Sequence, residues 1–289
     1  MQKPLFTGAC TALITPFIDN KINYPLLDRL LQRQIDAGIK AVVLAGTTGE
    51  SPVLSDLEKL ELFKRAKEFV GDRCLIIAGT GSNSTEHSIA LSKASEAVGA
   101  DALLLVAPYY NKGNPESLYR HFATIASAVQ VPIVLYNVPS RTGVDIPVSV
   151  YQRLSKIPNI AGVKEASNDI TKIAKIRAAC GDNFAIWTGN DDQIVPVIAM
   201  GGKGVISVLS NIYPQETNFM AHAALAENFK AASQMQCDMM NLIGLLFSEV
   251  NPIPVKYAMK HTGFDCGDCR LPLGPPSNEL AGQIDQYFK

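Results

Sequence analysis

The segment PIVLYNVPSRTG, residues 132–143, joins a short apolar run to a turn. Three aliphatic residues in succession are typical of a buried parallel strand. Pro139 and Gly143 account for the turn, since proline has no backbone donor and glycine tolerates positive φ. They do not account for Tyr136 and Arg141, which lie where the strand ends. The segment therefore predicts a strand that carries functional side chains at its carboxyl end.

Apolar runs of this kind alternate with amphipathic stretches along the whole chain. Eight runs predict strands: Ala9–Ile14, Ala41–Ala45, Cys74–Ala78, Ala102–Ala107, Pro132–Tyr136, Ile160–Lys164, Phe184–Trp187 and Gly204–Val208. Amphipathic patterns, such as those at residues 26–37, 56–70 and 117–129, predict helices between them. Strands that alternate with helices pair in parallel. Eight such units in about 210 residues favour an α/β fold of the closed (β/α)8 TIM barrel type over an open doubly wound sheet.

Several helices carry start signals, in which a polar side chain accepts from a free backbone amide. Ser55 with Glu58 has the spacing of a capping box, and Asn83 with Glu86 resembles one. Asn114 can cap a helix, and the proline that follows it has the fixed φ that suits the first helical position. These signals support the alternation of strands and helices.

The sequence predicts two regions without a linker between them. Residues 1–212 are assigned to the catalytic barrel. Residues 213–289 are assigned to a C-terminal helical extension that packs on the barrel and is punctuated by prolines.

Composition narrows the classes of partner. The chain has 289 residues, 47% of them hydrophobic, a formal net charge of −1 and a pI near 6.4. These values do not indicate the excess of positive charge that binding to nucleic acid or an anionic membrane requires, and they favour a small, neutral-to-acidic ligand. No signal peptide and no apolar segment of about 18 residues is visible, so we expect a cytoplasmic protein.

Cysteines and histidines give no metal or cofactor signal. The cysteines at positions 10, 74, 180 and 237 are interpreted as buried free thiols. Cys266 and Cys269 form a CxxC pair, but no second ligand pair and no redox-fold context accompanies it, which favours a surface loop. The four histidines never stand at ligand spacing. The spacing of these residues therefore gives no support for metal catalysis.

In a (β/α)8 barrel, function gathers at the carboxyl ends of the strands. The segments at those ends are rich in polar and aromatic residues: GTTGE (46–50), GTGSN (79–83), PYYNK (108–112), YNVPSRTG (136–143), KEAS (164–167), TGND (188–191) and SVLSN (207–211). One rim of the predicted barrel therefore carries the candidate site.

Lys164 is the most informative of these residues. It ends an apolar run and shares a strand face with Ile160 and Gly162, a face that points into a barrel. Burial of an ammonium group lowers its pKa and frees the neutral amine that attacks carbonyls. The alternative is a strand-end lysine that reaches into solvent, as most lysines do.

Tyr136 ends the neighbouring strand. A phenol beside the amine of Lys164 can relay the protons that carbinolamine formation and dehydration require. The alternative is a tyrosine that packs in the core with its hydroxyl satisfied.

Two further groups suit carboxylates. Thr47 and Thr48 stand between glycines, so hydroxyls and backbone amides converge there, although an ordinary glycine turn has the same pattern. Arg141 offers a bidentate fork for a second carboxylate, and its alternative is a solvated loop arginine. GTGSN is also compatible with a phosphate cradle.

GTTGES, PYYNK, YNVPSRTG, GVKEAS and GVISV, in this order, resemble the pyruvate-dependent class I aldolase superfamily of lysine Schiff-base barrels. Within it the chain is most similar to the dihydrodipicolinate synthase family, over nearly its whole length. The resemblance implies a lyase that condenses pyruvate with L-aspartate 4-semialdehyde in lysine and diaminopimelate biosynthesis. It also implies a homotetramer, a dimer of tight dimers.

Carried over to this sequence, the resemblance implies that Lys164 forms the imine with pyruvate. Tyr136, Thr47 and Tyr110 would form the hydroxyl relay, with Tyr110 lent across the tight dimer. Substrates would be bound by Thr48, Arg141, Gly189 and Ile206, with Thr48 on the pyruvate carboxylate and Arg141 on the aldehyde's carboxylate.

The resemblance also implies a regulatory cleft at the dimer interface. In members inhibited by lysine this cleft carries two histidines, an asparagine, a glutamate and a tyrosine. Here the cleft would be lined by Ser51, Asp56, Lys59, Asn83, His87 and Tyr109. Asp56 and Lys59 replace the histidines and His87 replaces the glutamate, so we expect weak or absent inhibition by lysine.

Three other functions stay open at the level of sequence. Sister Schiff-base aldolases, such as N-acetylneuraminate lyase and 2-keto-3-deoxygluconate aldolase, share the lysine and the tyrosine but typically lack the arginine of SRTG. A barrel with a phosphate site at Gly79 and Gly81 would need no covalent intermediate. A binding protein that kept only the barrel is the third, because fold alone does not prove function.

Overall fold

A closed barrel of eight parallel strands forms the centre of the computed structural model, which describes residues 3–289. The described residues form ten strands, of which all but β2 and β3 belong to the barrel: β1 (Gly8–Ala12), β2 (Phe17–Ile18), β3 (Lys21–Ile22), β4 (Ala41–Leu44), β5 (Leu75–Gly79), β6 (Ala102–Val106), β7 (Ile133–Asn137), β8 (Ile160–Glu165), β9 (Ala185–Thr188) and β10 (Gly204–Ser207). Around the barrel the order is β1-β10-β9-β8-β7-β6-β5-β4, and β4 pairs again with β1. The TIM barrel is therefore confirmed, and each predicted strand lies within a residue or two of the observed one.

The hairpin of β2 and β3 lies outside the barrel and was not predicted. Its strands are only two residues long, which is too short for alternation to reveal them.

Twelve α-helices occur within residues 3–289. They are α1 (Tyr24–Asp36), α2 (Asp56–Val70), α3 (Thr85–Ala97), α4 (Pro115–Ala126), α5 (Pro139–Thr142), α6 (Val148–Leu154), α7 (Ile170–Cys180), α8 (Ile194–Ala199), α9 (Pro214–Leu225), α10 (Phe229–Phe247), α11 (Ile253–Met259) and α12 (Asn278–Tyr287). Helix α9 packs on β1, β10 and α8, and so completes the eighth strand–helix unit. It does so although it lies in the segment 213–289 that the sequence analysis assigned to the extension.

The helix caps agree with sequence in two cases and differ in one. Ser55 and Glu58 form both hydrogen bonds of a capping box at α2, and Asn114 accepts from the amide of Ser117 at α4. At α3 the predicted cap on Asn83 is wrong. Ser84 is the cap, because its hydroxyl accepts from the amide of His87 at 3.2 Å.

Two layers of apolar side chains result from the alternation of the strands. One cluster fills the barrel interior and includes Cys10, Val43, Leu104, Tyr136 and Trp187. The larger cluster lies between the strands and the surrounding helices. At the amino-terminal end Phe6 stacks on Trp187 with ring centroids 4.7 Å apart, and its carbonyl accepts from the indole nitrogen. Phe6 and Trp187, both buried, therefore cover the barrel interior at that end.

A buried ion pair fastens the C-terminal extension to the rim. Lys256 Nζ in α11 lies 2.8 Å from Oε1 of Glu50, which ends GTTGE in the left-handed conformation with φ of 59°. The other oxygen, Oε2, accepts from the backbone amide of Arg270 at 2.8 Å. The guanidinium of Arg270 in turn pairs with Glu58. The loop that holds Thr47 and Thr48 is thus fixed by residues more than 200 positions away.

The cysteines differ from the sequence interpretation at two positions. Cys237 is exposed rather than buried, because it lies on the solvent face of α10. Cys266 is fully buried in the core between strands and helices, so the surface-loop interpretation is wrong for it. Burial raises the pKa of Cys266 and of the half-buried Cys269 to about 12. Both thiols are therefore protonated at neutral pH.

Within residues 3–289 no helix is both long enough and apolar enough to cross a bilayer. Across the same residues no group of three or more His, Cys, Asp or Glu side chains is placed to hold a metal ion.

Replacement of Lys256 by methionine should destabilise the protein strongly. The variant leaves the carboxylate of Glu50 buried without its cation, which costs about 3–5 kcal/mol of the free energy of unfolding. Urea denaturation followed by circular dichroism measures the change. Arg65→Ala is the control, since it removes an ion pair with Asp28 at the surface and should leave the midpoint close to that of wild type. Equal stability of the Lys256 variant and wild type would contradict the role of the buried pair.

His121 should make the fold sensitive to mild acid. The imidazole is buried in α4, Nδ1 bonds to the Thr85 hydroxyl at 2.9 Å, and burial lowers its pKa from 6.5 to about 4. As the pH falls below 6.5, His121 therefore becomes protonated in the unfolded chain before it does so in the folded protein. Stability is present above that pH and is lost towards pH 4, by up to about 3 kcal/mol. His121→Leu should flatten this part of the plot of unfolding free energy against pH, and an unchanged slope would contradict the assignment.

Candidate active site

Lys164 and Tyr136 face each other at the ends of adjacent strands. They are direct partners in the register between β8 and β7, and both point into the barrel. Lys164 Nζ lies 4.5 Å from the centroid of the Tyr136 ring. The lysine is only 5% exposed. The two residues that sequence alone singled out therefore form one buried amine–phenol pair.

The residues next to this pair hold it in place from the outer side of the barrel. Asn137 Nδ2 donates to Glu165 Oε1 and to Asp145 Oδ1, both at 2.8 Å. The Tyr151 hydroxyl donates to the other oxygen of Glu165 at 3.1 Å, and Lys172 pairs with both carboxylates. Because side chains alternate along a strand, fixing Asn137 and Glu165 outward keeps their neighbours inward. The pKa of Tyr151 is raised well above its usual value, mainly by burial and next by the negative charge of Glu165.

A cavity of about 300 Å³ opens over Lys164 at the rim. Gly189 is part of its wall, and a β-carbon there would lie 2.8 Å from Lys164 Cε. Only glycine leaves the lysine stem in its observed position. The other wall residues include Thr47, Thr48, Tyr136, Arg141, Asp191 and Asn251.

Asn251, which sequence reasoning missed, joins the two carboxylate-binding candidates. Its Nδ2 donates to the Thr48 hydroxyl at 3.0 Å, and its carbonyl accepts from Arg141 Nη2 at 3.4 Å. Asn251 lies just before α11, far from both residues in sequence. No local pattern marks it, so only the fold reveals the contact.

Asp191 is a second residue that was not singled out. It is 1% exposed, and its Oδ2 accepts from the amides of Val208 and Leu209, each at 2.9 Å. Its Oδ1 is buried without a hydrogen-bond partner in the described part of the chain. Burial raises the pKa of Asp191, while its hydrogen bonds and the nearby Lys164 ammonium oppose the rise.

A larger cavity of about 760 Å³ adjoins the first and shares Thr47, Tyr136 and Arg141 with it. The six residues expected in a regulatory cleft all line it: Ser51, Asp56, Lys59, Asn83, His87 and Tyr109. His87 Nε2 lies 2.8 Å from Asp56 Oδ2. Lys59 is buried in the wall, and burial lowers its pKa although Asp56 opposes the change.

Two expected site residues lie elsewhere. Tyr110 is 85% exposed, has a φ of 74°, and is not part of either cavity wall. Ile206 is buried in the barrel interior with Tyr136 and Trp187, below the cavity rather than in its wall.

The glycines of GTGSN are explained by packing between strands. A β-carbon at Gly79 would lie 2.2 Å from the carbonyl oxygen of Ala45, and one at Gly81 would lie 2.4 Å from the amide nitrogen of Val106. Close approach of backbones thus requires both glycines, with no need for a phosphate.

Comparison with known proteins agrees with this geometry. Residues 5–289 match the Dihydrodipicolinate synthetase family. The chain belongs to this family. A protein of Acetivibrio thermocellus named 4-hydroxy-tetrahydrodipicolinate synthase is 46% identical over 273 residues, which are 94% of this chain and 93% of that protein.

Solved structures of the family superpose closely on this fold. Chloride-inhibited dihydrodipicolinate synthase of Acinetobacter baumannii, solved in complex with pyruvate, has a TM-score of 0.95 and 38% identity, and 97% of each chain is covered. A dihydrodipicolinate synthase described as the first monomeric variant also gives a TM-score of 0.95, with 36% identity over 97% of this chain and 95% of that one. The family is therefore established by sequence and by structure.

Proposed function

We propose that the protein condenses pyruvate with L-aspartate 4-semialdehyde through a Schiff base on Lys164, giving 4-hydroxy-tetrahydrodipicolinate. The observation that carries the proposal is the buried amine of Lys164 in register with Tyr136, in a cavity lined by carboxylate-binding groups. Relatives over nearly the whole chain carry the name of this synthase. The enzyme is thus a lyase that uses a class I aldolase mechanism and needs no cofactor.

The first half of the reaction follows from the amine and the phenol. The neutral amine of Lys164 adds to the carbonyl carbon of pyruvate, and loss of water leaves a protonated imine. Tyr136 lies close enough to carry protons to and from the departing oxygen. The positive imine nitrogen then draws electrons from the adjacent methyl carbon, so a methyl proton leaves and an enamine forms.

The second half uses the rim. Arg141 offers its guanidinium to the carboxylate of the aldehyde, and Asn251 steadies that arginine. The enamine carbon attacks the aldehyde carbon and forms the new carbon–carbon bond. The amino group of the second substrate then displaces Lys164, which closes the six-membered ring and frees the lysine. Thr48, held by Asn251, is placed for the pyruvate carboxylate.

A tight dimer would complete the relay. Tyr110 lines neither cavity of its own chain, and the large side chains of Leu57 and Tyr110 are both more than 80% exposed. Leu57 lies between Asp56 and Lys59, beside the larger cavity. A second copy that covers this region would bury both side chains, and Tyr110 of the partner subunit would join Thr47 and Tyr136. A dimer of such dimers is the proposed tetramer, and the six free cysteines suit a cytoplasmic location.

Lys164→Ala should abolish product formation. The assay supplies pyruvate, L-aspartate 4-semialdehyde and the NADPH-dependent reductase that consumes the product, and it follows NADPH loss. Wild type should need both substrates, while the variant should lose at least about 10³-fold in rate, since the covalent route disappears. Lys175→Ala, a replacement on α7 away from the cavity, is the matched control. If wild type shows no NADPH loss but borohydride still fixes pyruvate on Lys164, the function moves to a sister aldolase.

Lysine should inhibit the enzyme weakly or not at all. In the larger cavity the positive charge of Lys59 repels the ammonium group of a lysine ligand. His87 pairs with the carboxylate of Asp56 and has no carboxylate of its own to offer the ligand. A titration of L-lysine into the same assay, at physiological concentrations, measures the effect. The double variant Lys59→His with His87→Glu should gain inhibition over this range. Strong inhibition of wild type would contradict the expectation.

A further inference from the structure

We infer that Asp191 is a positioning residue whose buried carboxylate supplies the counter-charge for the ammonium and the protonated imine of Lys164. The inference rests on the proposed Schiff-base function and adds a residue to its machinery. It starts from the unpaired Oδ1 of Asp191 in the wall of the cavity over Lys164.

The carboxylate is fixed in place by three elements of the fold. Oδ2 accepts from two consecutive amides where β10 ends, at Val208 and Leu209. The carbonyl of Asp191 accepts from Gln236 Nε2 in α10 at 2.8 Å. The preceding Gly189 packs directly against the stem of Lys164. The carboxyl group of Asp191 is therefore held in a fixed position in the wall of the cavity that Lys164 also lines.

A purely structural role, in which Asp191 caps the turn at residues 208–209, explains only one of its two carboxylate oxygens. Two amides are enough to cap the turn at residues 208–209, and they occupy Oδ2 alone. A buried carboxylate oxygen without a partner is costly unless a cation compensates it. Burial raises the pKa of Asp191, and the Ser207 hydroxyl, the two amides and, to a smaller extent, Lys164 oppose the rise and favour the ionised carboxylate. The two charges thus stabilise each other without direct contact.

Other groups around Lys164 do not supply this charge. Tyr136 on β7 and Cys10 on β1 lie beside the lysine and carry no carboxylate, and burial raises the pKa of Cys10 well above its usual value. Arg141 on the rim is itself positive. The carboxylate of Glu165 lies on the outer side of the barrel, with Asn137 and Lys172. Among the described residues that line the cavity only Asp191 combines a negative charge with burial, because Asp192 is exposed.

The chemistry explains why such a charge matters. Attack on pyruvate consumes a neutral amine, but dehydration leaves a positive nitrogen at a largely buried position. A fixed anion close to that nitrogen stabilises the imine more than it stabilises the neutral amine. Removal of the anion should therefore disfavour both the ammonium and the imine. Loss of a merely structural cap would lower stability without changing either equilibrium.

The test is the pH dependence of pyruvate trapping in Asp191→Asn. Asparagine keeps an oxygen for the two amides and removes the charge. Trapping is measured by borohydride reduction and mass spectrometry of the intact protein across a pH series, with pyruvate varied at each pH. The midpoint for trapping should move to lower pH by about 0.5 to 1 unit, since the ammonium loses its partner. The apparent affinity for pyruvate at the plateau should weaken by about threefold to tenfold.

Asp182→Asn, which alters an exposed carboxylate that pairs with Arg177 outside the cavity wall, is the matched control and should keep the wild-type midpoint and affinity. Asp191→Ser, which retains one acceptor without charge, serves if the asparagine variant does not fold, and it should show the same shift. A wild-type midpoint and affinity in folded variants at Asp191 would overturn the inference. If wild type itself traps no pyruvate, the proposed function fails instead, so the two failures are distinct.

Discussion

The burial of Lys164 inside the barrel is the constraint on which the rest of the site depends. A cation inside a barrel loses its hydration, so the protein must supply polar groups and space at that one position. The ring of Tyr136 lies beside it, Gly189 leaves room for its stem, and Asp191 sets a fixed carboxylate in the same cavity wall. Barrel closure makes these neighbours converge, because strands β7, β8 and β9 end on the same rim.

The rim is rigid because charged groups at a distance hold its loops. Glu50 at the end of GTTGE is bound by Lys256 and by the backbone of Arg270, so the extension fixes the loop that carries the threonines. Asn251 adds the direct link to Thr48 and Arg141. The C-terminal helices therefore belong to the active site as much as the barrel does, since they set the positions of groups that the chemistry uses.

Sequence patterns predicted correctly the features that depend on residues close together in the chain. Alternating apolar runs predicted all eight barrel strands, and the capping residues Ser55 and Asn114 were identified because a cap and its amide lie three residues apart. Asn83 was wrong as a cap because the adjacent Ser84 competes for the same role. Cys266 was assigned to a surface loop because its CxxC pair has no partner motif, yet the loop packs against the core, which no local pattern shows.

The sequence by itself determined the barrel, the strand-end position of Lys164 and Tyr136, and the resemblance that led to a Schiff-base enzyme. These follow from periodicity and from short motifs, which depend on neighbours in the chain. Only the tertiary structure revealed the contacts of Asn251 and Asp191, the burial of Lys59 and the exposure of Tyr110. Such features arise from contacts between residues far apart in sequence, because a closed barrel brings its strand ends and its C-terminal helices to one rim.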